Sequence, residues 1–297
     1  VPKLINLGSL CVDNVYSVNT IATVGETVAS QNHAVFPGGK GLNQSLAASK
    51  AGVDVHHIGC VGEDGTWLRE LLADAGVDVG NVRQVEIRSG HAVIQVDSAG
   101  QNSIVISGGA NRSIQALDRN VALTLLQPGD WLLLQNEIND IETLLQEAGD
   151  RDANVAFNVA PVDGREKNYC LDAVGLLIVN EVEAAALAQE TDPDVALDAL
   201  CGRYPTAHVV LTLGRDGLLH GIGGHREKLA AHRVKAVDET AAGDAFVGYL
   251  MAGLLSGADY SKALKLGSAA GALAVTQQGA ASSIPEYADV VAMLDYD

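Results

Sequence analysis

The chain is short of basic residues: 19 Lys plus Arg stand against 37 Asp plus Glu, a formal charge of −18 at pH 7. Such a surface repels nucleic acid and anionic membranes, so neither is expected as a partner. Lysine and arginine form no cluster, which leaves no basic pocket for a polyanionic substrate. Cysteine is sparse and scattered. Cys11, Cys60, Cys170 and Cys201 make no CxxC pair, and the histidines show no HExxH spacing. That argues against a disulfide framework and against a His/Cys metal centre, and it fits reduced thiols in a cytoplasmic protein. Long apolar runs are missing too. The longest, Ala245 to Leu255, is too short for a bilayer and is broken by Gly248 and Gly253. The first residues run directly into a strand-like Leu4-Ile5-Asn6-Leu7, without the basic and apolar segments of a secretory leader, so a cytoplasmic location is expected. No GxGxxG follows this first strand: Gly8-Ser9-Leu10-Cys11 does not supply it, which removes a dehydrogenase built on that motif.

What is present is the composition of an ordinary globular protein, with 297 residues, 47% of them hydrophobic and 19% charged. That length allows one large α/β domain over residues 1–297. Strand-like and helix-like segments alternate. Leu4-Leu10, His56-Val61, Trp131-Gln135, Val155-Asn158, Leu176-Asn180 and Val209-Leu213 read as strands, several of them apolar on both faces. Helical patterns fall between them, at Leu42-Ala51, Thr66-Ala75, Ile138-Ala148, Glu181-Gln189 and Val195-Arg203. Two longer helices, Ala242-Leu255 and Tyr260-Thr276, close the chain. This order predicts a mainly parallel sheet with helices on both faces. Two stretches, at about 13–35 and 91–107, alternate instead like antiparallel strands and predict a small accessory sheet over one end of the main one.

Two glycine clusters carry the chemistry. Asp238-Glu-Thr-Ala-Ala-Gly-Asp-Ala-Phe246 leads small residues into an apolar helix. A helix opening on Ala241-Ala242-Gly243 leaves backbone N–H groups bare, and with the helix dipole these favour an anion such as phosphate. Asp244 within that opening can accept a proton beside the anion, which points to phosphoryl transfer onto a hydroxyl. An Asp there is also an ordinary helix cap. The second cluster, Phe36-Pro-Gly-Gly-Lys-Gly-Leu-Asn-Gln44, is not a Walker A loop, because no Ser or Thr follows the Gly39-Lys40 pair. Its glycines allow backbone to approach a ligand closely, and Asn43 offers a polyol both a donor and an acceptor. A tight turn into the following helix is the plainer alternative.

Together these clusters resemble the ribokinase-like (PfkB) sugar kinases, and the resemblance extends over nearly the whole chain. It includes Gly8-Ser9, Asp13, Gly25-Glu26-Thr27, Gly108-Gly109-Ala110-Asn111, Gln135 with Glu137, Asn158 with Ala160-Pro161, Asn180 with Glu183, Thr212-Leu213-Gly214 and Gly279-Ala280. The resemblance implies a Rossmann-like α/β fold with a β-sheet lid, and ATP-dependent phosphorylation of a primary hydroxyl, ribose first among the sugars. It implies Asp244 as catalytic base, with Ala241, Ala242 and Gly243 forming an anion hole. Asp13, Gly39, Lys40, Asn43, Glu137 and Asp244 match sugar-contacting positions. Asn180 and Glu183 match residues near the phosphates and the Mg²⁺ waters, and Thr212 and Gly214 match the nucleotide site. Asp238, Thr240, Ala274, Gln277, Gly279 and Ser283 match loops that bind a monovalent cation, K⁺ above all.

Three positions depart from the ribokinase pattern: Cys11 stands where Asn is typical, Val159 where Pro is usual, and Gln277 where Arg is common. A thiol grips a hydroxyl less well than an amide, so Cys11 keeps open a kinase for a nucleoside or another sugar. A non-catalytic sugar- or nucleotide-binding protein on the same scaffold is a further alternative, against which the retained Asp244 argues. Exposed edges of the lid lead to the expectation of a homodimer formed through it.

Overall fold

Strands apolar on both faces divide their side chains between two cores. The computed structural model describes residues 1–296; position 297 of the expected 1–297 span lies outside the described residues. The first half runs through β1 (Leu4–Leu7), β2 (Cys11–Val18), β3 (Ser30–Gly38), α1 (Lys40–Lys50), β4 (Val55–Val61), α2 (Thr66–Asp74) and β5 (Asp78–Gln84). It continues with β6 (Gly90–Val96), β7 (Asn102–Ser107), α3 (Ala116–Leu125), β8 (Trp131–Gln135) and α4 (Ile141–Gly149). The second half adds β9 (Val155–Asn158), β10 (Leu176–Asn180), α5 (Glu181–Ala188), α6 (Pro193–Arg203), β11 (His208–Thr212), β12 (Leu218–Ile222) and β13 (His225–Leu229). It ends with α7 (Ala242–Leu255), α8 (Tyr260–Ala274) and α9 (Tyr287–Tyr296).

The large sheet has 9 strands in the order β13-β12-β11-β10-β9-β8-β1-β4-β5. It is parallel from β5 to β11, and β12 and β13 extend it as an antiparallel edge. The period of two sorts the core. Leu133 and Ile178 pack with Leu42, Phe246 and Tyr249 on one face, while Leu132, Leu134, Leu177 and Val179 pack with Leu144, Leu187 and Leu200 on the other. Full burial of one such side chain is worth about 1.5–3 kcal/mol, so both faces are firmly held. Helix α7 crosses α1 closely: a Cβ added at Gly248 would meet Ala48 N at 2.7 Å and Gln44 O at 2.9 Å.

The expected strand Leu4-Leu10 is shorter than its apolar run. It stops at Leu7, because the chain leaves the sheet at Gly8, whose backbone abuts that of Gly41. From there it crosses into the small sheet, ordered β3-β2-β6-β7. That sheet is mixed rather than antiparallel. The hairpin-like pairs β2–β3 and β6–β7 are antiparallel, but β2 and β6 run parallel, Cys11 opposite Gly90. A parallel pair needs a long crossover, and α1, β4, α2 and β5 provide it. Among the described residues no helix is long and apolar enough to cross a membrane.

Candidate active site

Strand β1 is flanked by β4 on one side and β8 on the other, so the winding direction of the sheet reverses there. Beyond the carboxyl ends of strands at such a reversal, loops part and leave room for a ligand. Gly8-Ser9 follows β1, and Asn136-Glu137 follows β8. The glycine loop before α1 lies against both. Gly39 adopts φ 94°, the left-handed region, and turns the chain into α1. At Gly41 a Cβ would strike the Gly8 backbone, so only glycine lets the helix start rest on the end of β1.

This approach assembles the polar groups. Ser9 Oγ donates to Glu137 Oε2 and accepts from Gly41 N at 3.1 Å. Lys40 N donates to the same Glu137 oxygen at 2.9 Å. Asp13 lies over Gly38, where any side chain would meet its carboxylate. Burial first, and the Glu137 charge second, raise the Asp13 pKa from 3.8 to about 7. Burial alone would lower the Lys40 pKa, but Asp244, Glu137 and Glu183 around it prevail and hold it above the usual lysine value. Lys40 is therefore a fixed positive charge among three carboxylates.

Asp244 stands in the first turn of α7 and is buried. No side chain caps this helix; Ala241 precedes it in the left-handed region at φ 59°. Asn43 Nδ2 donates to Asp244 Oδ2 and Gln44 Nε2 to Asp244 Oδ1, both at 2.9 Å. The base candidate of one glycine cluster is thus gripped by the other. Asp244 borders a cleft of ≈ 220 Å³ together with Lys40, Asn180, Glu183, Thr212, Ala241 and Gly243. Gly214, two residues past Thr212, opens the turn after β11 at φ 52° with free space where a Cβ would stand. Ala242 is the first residue of α7 and is not part of the cleft wall.

Asn180 and Glu183 have a local explanation as well as a place in the cleft. They form a capping box at the start of α5: Asn180 Oδ1 accepts from Glu183 N at 2.9 Å, and Glu183 Oε2 accepts from Asn180 N at 2.8 Å. Burial raises the Glu183 pKa against the opposing effects of these bonds and of Lys40.

The six positions expected around a cation fall on the segment before α7 and on the segment from the end of α8 to Ser283, joined by one carboxylate. Asp238 Oδ1 accepts from Thr240 N at 2.9 Å and Thr240 Oγ1 at 2.6 Å, and Asp238 Oδ2 accepts from Gly279 N at 2.9 Å. Burial works against the ionised form, but these bonds prevail and lower the Asp238 pKa. Ala274 ends α8 and takes the N–H of Gln277, while Ser283 bonds locally to the Ala280 carbonyl.

Some contacts around the site were not assigned from the sequence, although Gln44 and Asn111 stand within its motifs. Gln44 reads there as part of a packed helix of small residues, yet it touches Asp244. Asn111 grips both backbone groups of Leu10 and donates to Cys11 Sγ at 3.3 Å, pinning the crossing into the lid. Arg112 and Arg165 both donate to the carbonyl of Ile138, and Arg165 also donates to that of Asn136, so Glu137 is clasped on either side. A usable signal was the density of polar residues in segments otherwise apolar, such as Asn6 within β1 and Asn43-Gln44-Ser45 within α1.

Residues 2–287 match the family model described as pfkB family carbohydrate kinase. The ribokinase of Haemophilus influenzae is 32% identical, over 98% of this chain and 97% of its own length. The crystal structure of the Thermotoga maritima ribokinase superposes with a TM-score of 0.89 at 33% identity, covering 99% of this chain and 100% of that one. The Arabidopsis thaliana ribokinase complexed with ribose and ATP gives a TM-score of 0.89 at 28% identity, covering 100% of both chains. With a fold shared over its whole length and two glycine clusters meeting at one buried carboxylate, this chain belongs to the pfkB family of carbohydrate kinases.

Proposed function

We propose that the chain transfers the terminal phosphoryl group of ATP to the primary hydroxyl of ribose, giving ribose 5-phosphate and ADP. The observation that carries this reading is the seat of Asp244, buried at an uncapped helix start and held by two amides from the glycine loop. Likeness to ribokinases, one of them complexed with ribose and ATP, supports the choice of sugar and nucleotide. Asp244 takes the proton of the hydroxyl as its oxygen attacks the terminal phosphorus. The bond from that phosphorus to the bridging oxygen breaks, and ADP leaves with the electron pair. A loose transition state needs little early deprotonation, so a carboxylate serves as base. The N–H groups at Ala241 and Gly243 meet the charge on the transferred group; that of Ala242, expected beside them, already donates to the Glu239 carbonyl at 3.3 Å.

Asp13, Gly39, Lys40, Asn43 and Glu137 hold the sugar in this reading. Asn43 Oδ1 is buried without a hydrogen-bond partner and suits a sugar hydroxyl. Thr212 and Gly214 border the nucleotide. Among the described residues no group of three or more His, Cys, Asp or Glu could hold a metal alone. Mg²⁺ binds through one or two carboxylates, waters and substrate phosphates. Glu183 beside Asn180 would hold waters of the ion, which would supply neutralisation of phosphate charge when bound. Asp238, Thr240, Ala274, Gln277, Gly279 and Ser283 offer oxygen donors only, a set suited to K⁺.

The same reading treats residues 1–297 as one kinase unit with its lid, acting in the cytoplasm, where free thiols persist. Val35, Phe36, Ile104, Val105 and Ile106 of the lid are exposed, and pairing of two lids in a homodimer covers them. Cys11 Sγ, already engaged by Asn111, supports a second reading in which a nucleoside or another sugar is preferred. ADP release from Mg-ATP is to be measured with pentoses, hexoses and nucleosides, with and without K⁺. Ribose-dependent release supports the first reading, preference for a nucleoside selects the second, and no acceptor-dependent release refutes both.

A further inference from the structure

The Asp244 carboxylate is one end of a buried run of amides whose other end is a backbone carbonyl. Gln44 Nε2 spends one hydrogen on Asp244 Oδ1 at 2.9 Å and the other on Asn158 Oδ1 at 3.1 Å. Gln44 Oε1 accepts from Gln135 Nε2 at 2.8 Å, and the second hydrogen of that nitrogen goes to Asn6 Oδ1 at 3.0 Å. Asn6 Nδ2 donates to the Gly41 carbonyl at 2.8 Å and to Ser45 Oγ at 2.7 Å. Asn6, Gln44 and Gln135 are each 0% exposed.

A primary amide donates on one side and accepts on the other, and here only one orientation fits at each step. The Gly41 carbonyl can only accept, so Asn6 presents its NH₂ there and its oxygen to Gln135. Gln135 must then donate to Asn6, and its other hydrogen meets Gln44, which must show its oxygen. The NH₂ of Gln44 is left pointing at Asp244. Turning Gln135 over would set its oxygen against the oxygens of Asn6 and Gln44. The observed orientation leaves Gln135 Oε1 buried with no hydrogen-bond partner. Packing alone does not require that orphan, because an apolar side chain of similar size fills the same space without it.

We propose that Gln44 is a positioning residue for Asp244, locked in its donating orientation by Gln135 and Asn6 against the Gly41 carbonyl. This rests on the reading of Asp244 as proton acceptor. With Asn43 on the second oxygen, the two amides fix the plane of the carboxylate and leave its remaining lone pairs to the substrate hydroxyl. Gln135 touches neither reacting group; it acts through Gln44.

The test is steady-state kinetics with ribose and Mg-ATP on Gln44→Met, Gln135→Met, Asp244→Asn and the double variant Gln44→Met/Asp244→Asn. Loss of one hydrogen bond to a charged group predicts a fall in kcat of about 10–100-fold for Gln44→Met, with KM for ribose changed less than about threefold. Gln135→Met loses about 3–10-fold in kcat with the same unchanged KM. In the Asp244→Asn background Gln44→Met costs no more than about twofold, because its effect runs through the missing carboxylate. An impaired Asp244→Asn enzyme in which Gln44→Met still costs its full factor overturns the positioning role alone. Wild-type turnover in Asp244→Asn overturns the base assignment, and the positioning role with it. Should Gln44→Met fail to fold, Gln135→Met and its double with Asp244→Asn carry the same comparison.

Discussion

Asp13→Asn separates what the apo protein needs from what the sugar needs. Asp13 enters the lid opposite Phe36 and is partly buried beside Glu137, with its pKa raised to about 7. The unfolded chain loses this proton near pH 4, whereas the folded protein keeps it until about pH 7. Stability from this group is therefore complete below about pH 4 and is lost as pH rises to about 7. Each pH unit in that interval is worth about 1.4 kcal/mol, a ceiling of about 4 kcal/mol. Because Asp13 keeps some access to water, about half of that, roughly 2 kcal/mol, is the expected effect. Asparagine keeps the shape and removes the charge. The variant should be more stable than wild type by about 2 kcal/mol at pH 8 and by little at pH 4, while KM for ribose rises about 100-fold as a charged acceptor is lost. Urea unfolding at the two pH values and ribose saturation kinetics provide both readings. A variant no more stable than wild type at pH 8, or one stabilised equally at both pH values, refutes the reasoning.

Other perturbations follow from the same geometry. Arg165→Met frees the Asn136 carbonyl, leaves that of Ile138 to Arg112 alone, and should raise KM for ribose about 5–20-fold with kcat within about threefold; an unchanged KM contradicts the clasp. Gly248→Ala forces α7 away from α1 and should cost about 1–3 kcal/mol in denaturant unfolding, together with kcat, whereas a neutral result denies the close crossing. His57 is wholly buried, and burial lowers its pKa to about 4. Its unfolded form takes a proton near pH 6.5, so stability is full above that value and falls by up to about 3 kcal/mol toward pH 4, opposite in sign to Asp13. His57→Gln should flatten the acid side of the unfolding profile, and an unaltered profile would count against it.

Much of the fold was legible because burial on both faces leaves a plain mark. Trp131–Gln135, Val155–Asn158 and Leu176–Asn180 are strands at their expected limits, and α7 begins at Ala242 as its small residues predict. Strand direction left no such mark. Alternation in β2 and β6 is the same whether the pair runs parallel or antiparallel, and only the crossover between them decides it. The edge pair β12–β13 passed unread, since His225-Arg-Glu-Lys-Leu229 is largely polar and carries little burial signal. At the site, the meeting of Asp244 with the glycine loop follows from motif order, but the hydrogen bonds that orient it do not. Gln44 and Gln135 are far apart in sequence, as are Arg112 and Arg165, and nothing in either segment alone names its partner. Asp238 was expected near a cation, whereas its bond to Gly279 N, which ties the two segments together, is a tertiary fact.

The central claim is that the buried carboxylate at the head of α7 accepts the proton of the sugar hydroxyl. Ribose-dependent ADP formation by Asp244→Asn, measured beside wild type with the fold verified by matching circular dichroism and unfolding midpoint, tests it most directly. The account predicts a loss of roughly 10²–10⁴ in kcat with ribose binding largely retained. Turnover equal to wild type in a folded Asp244→Asn protein would contradict it.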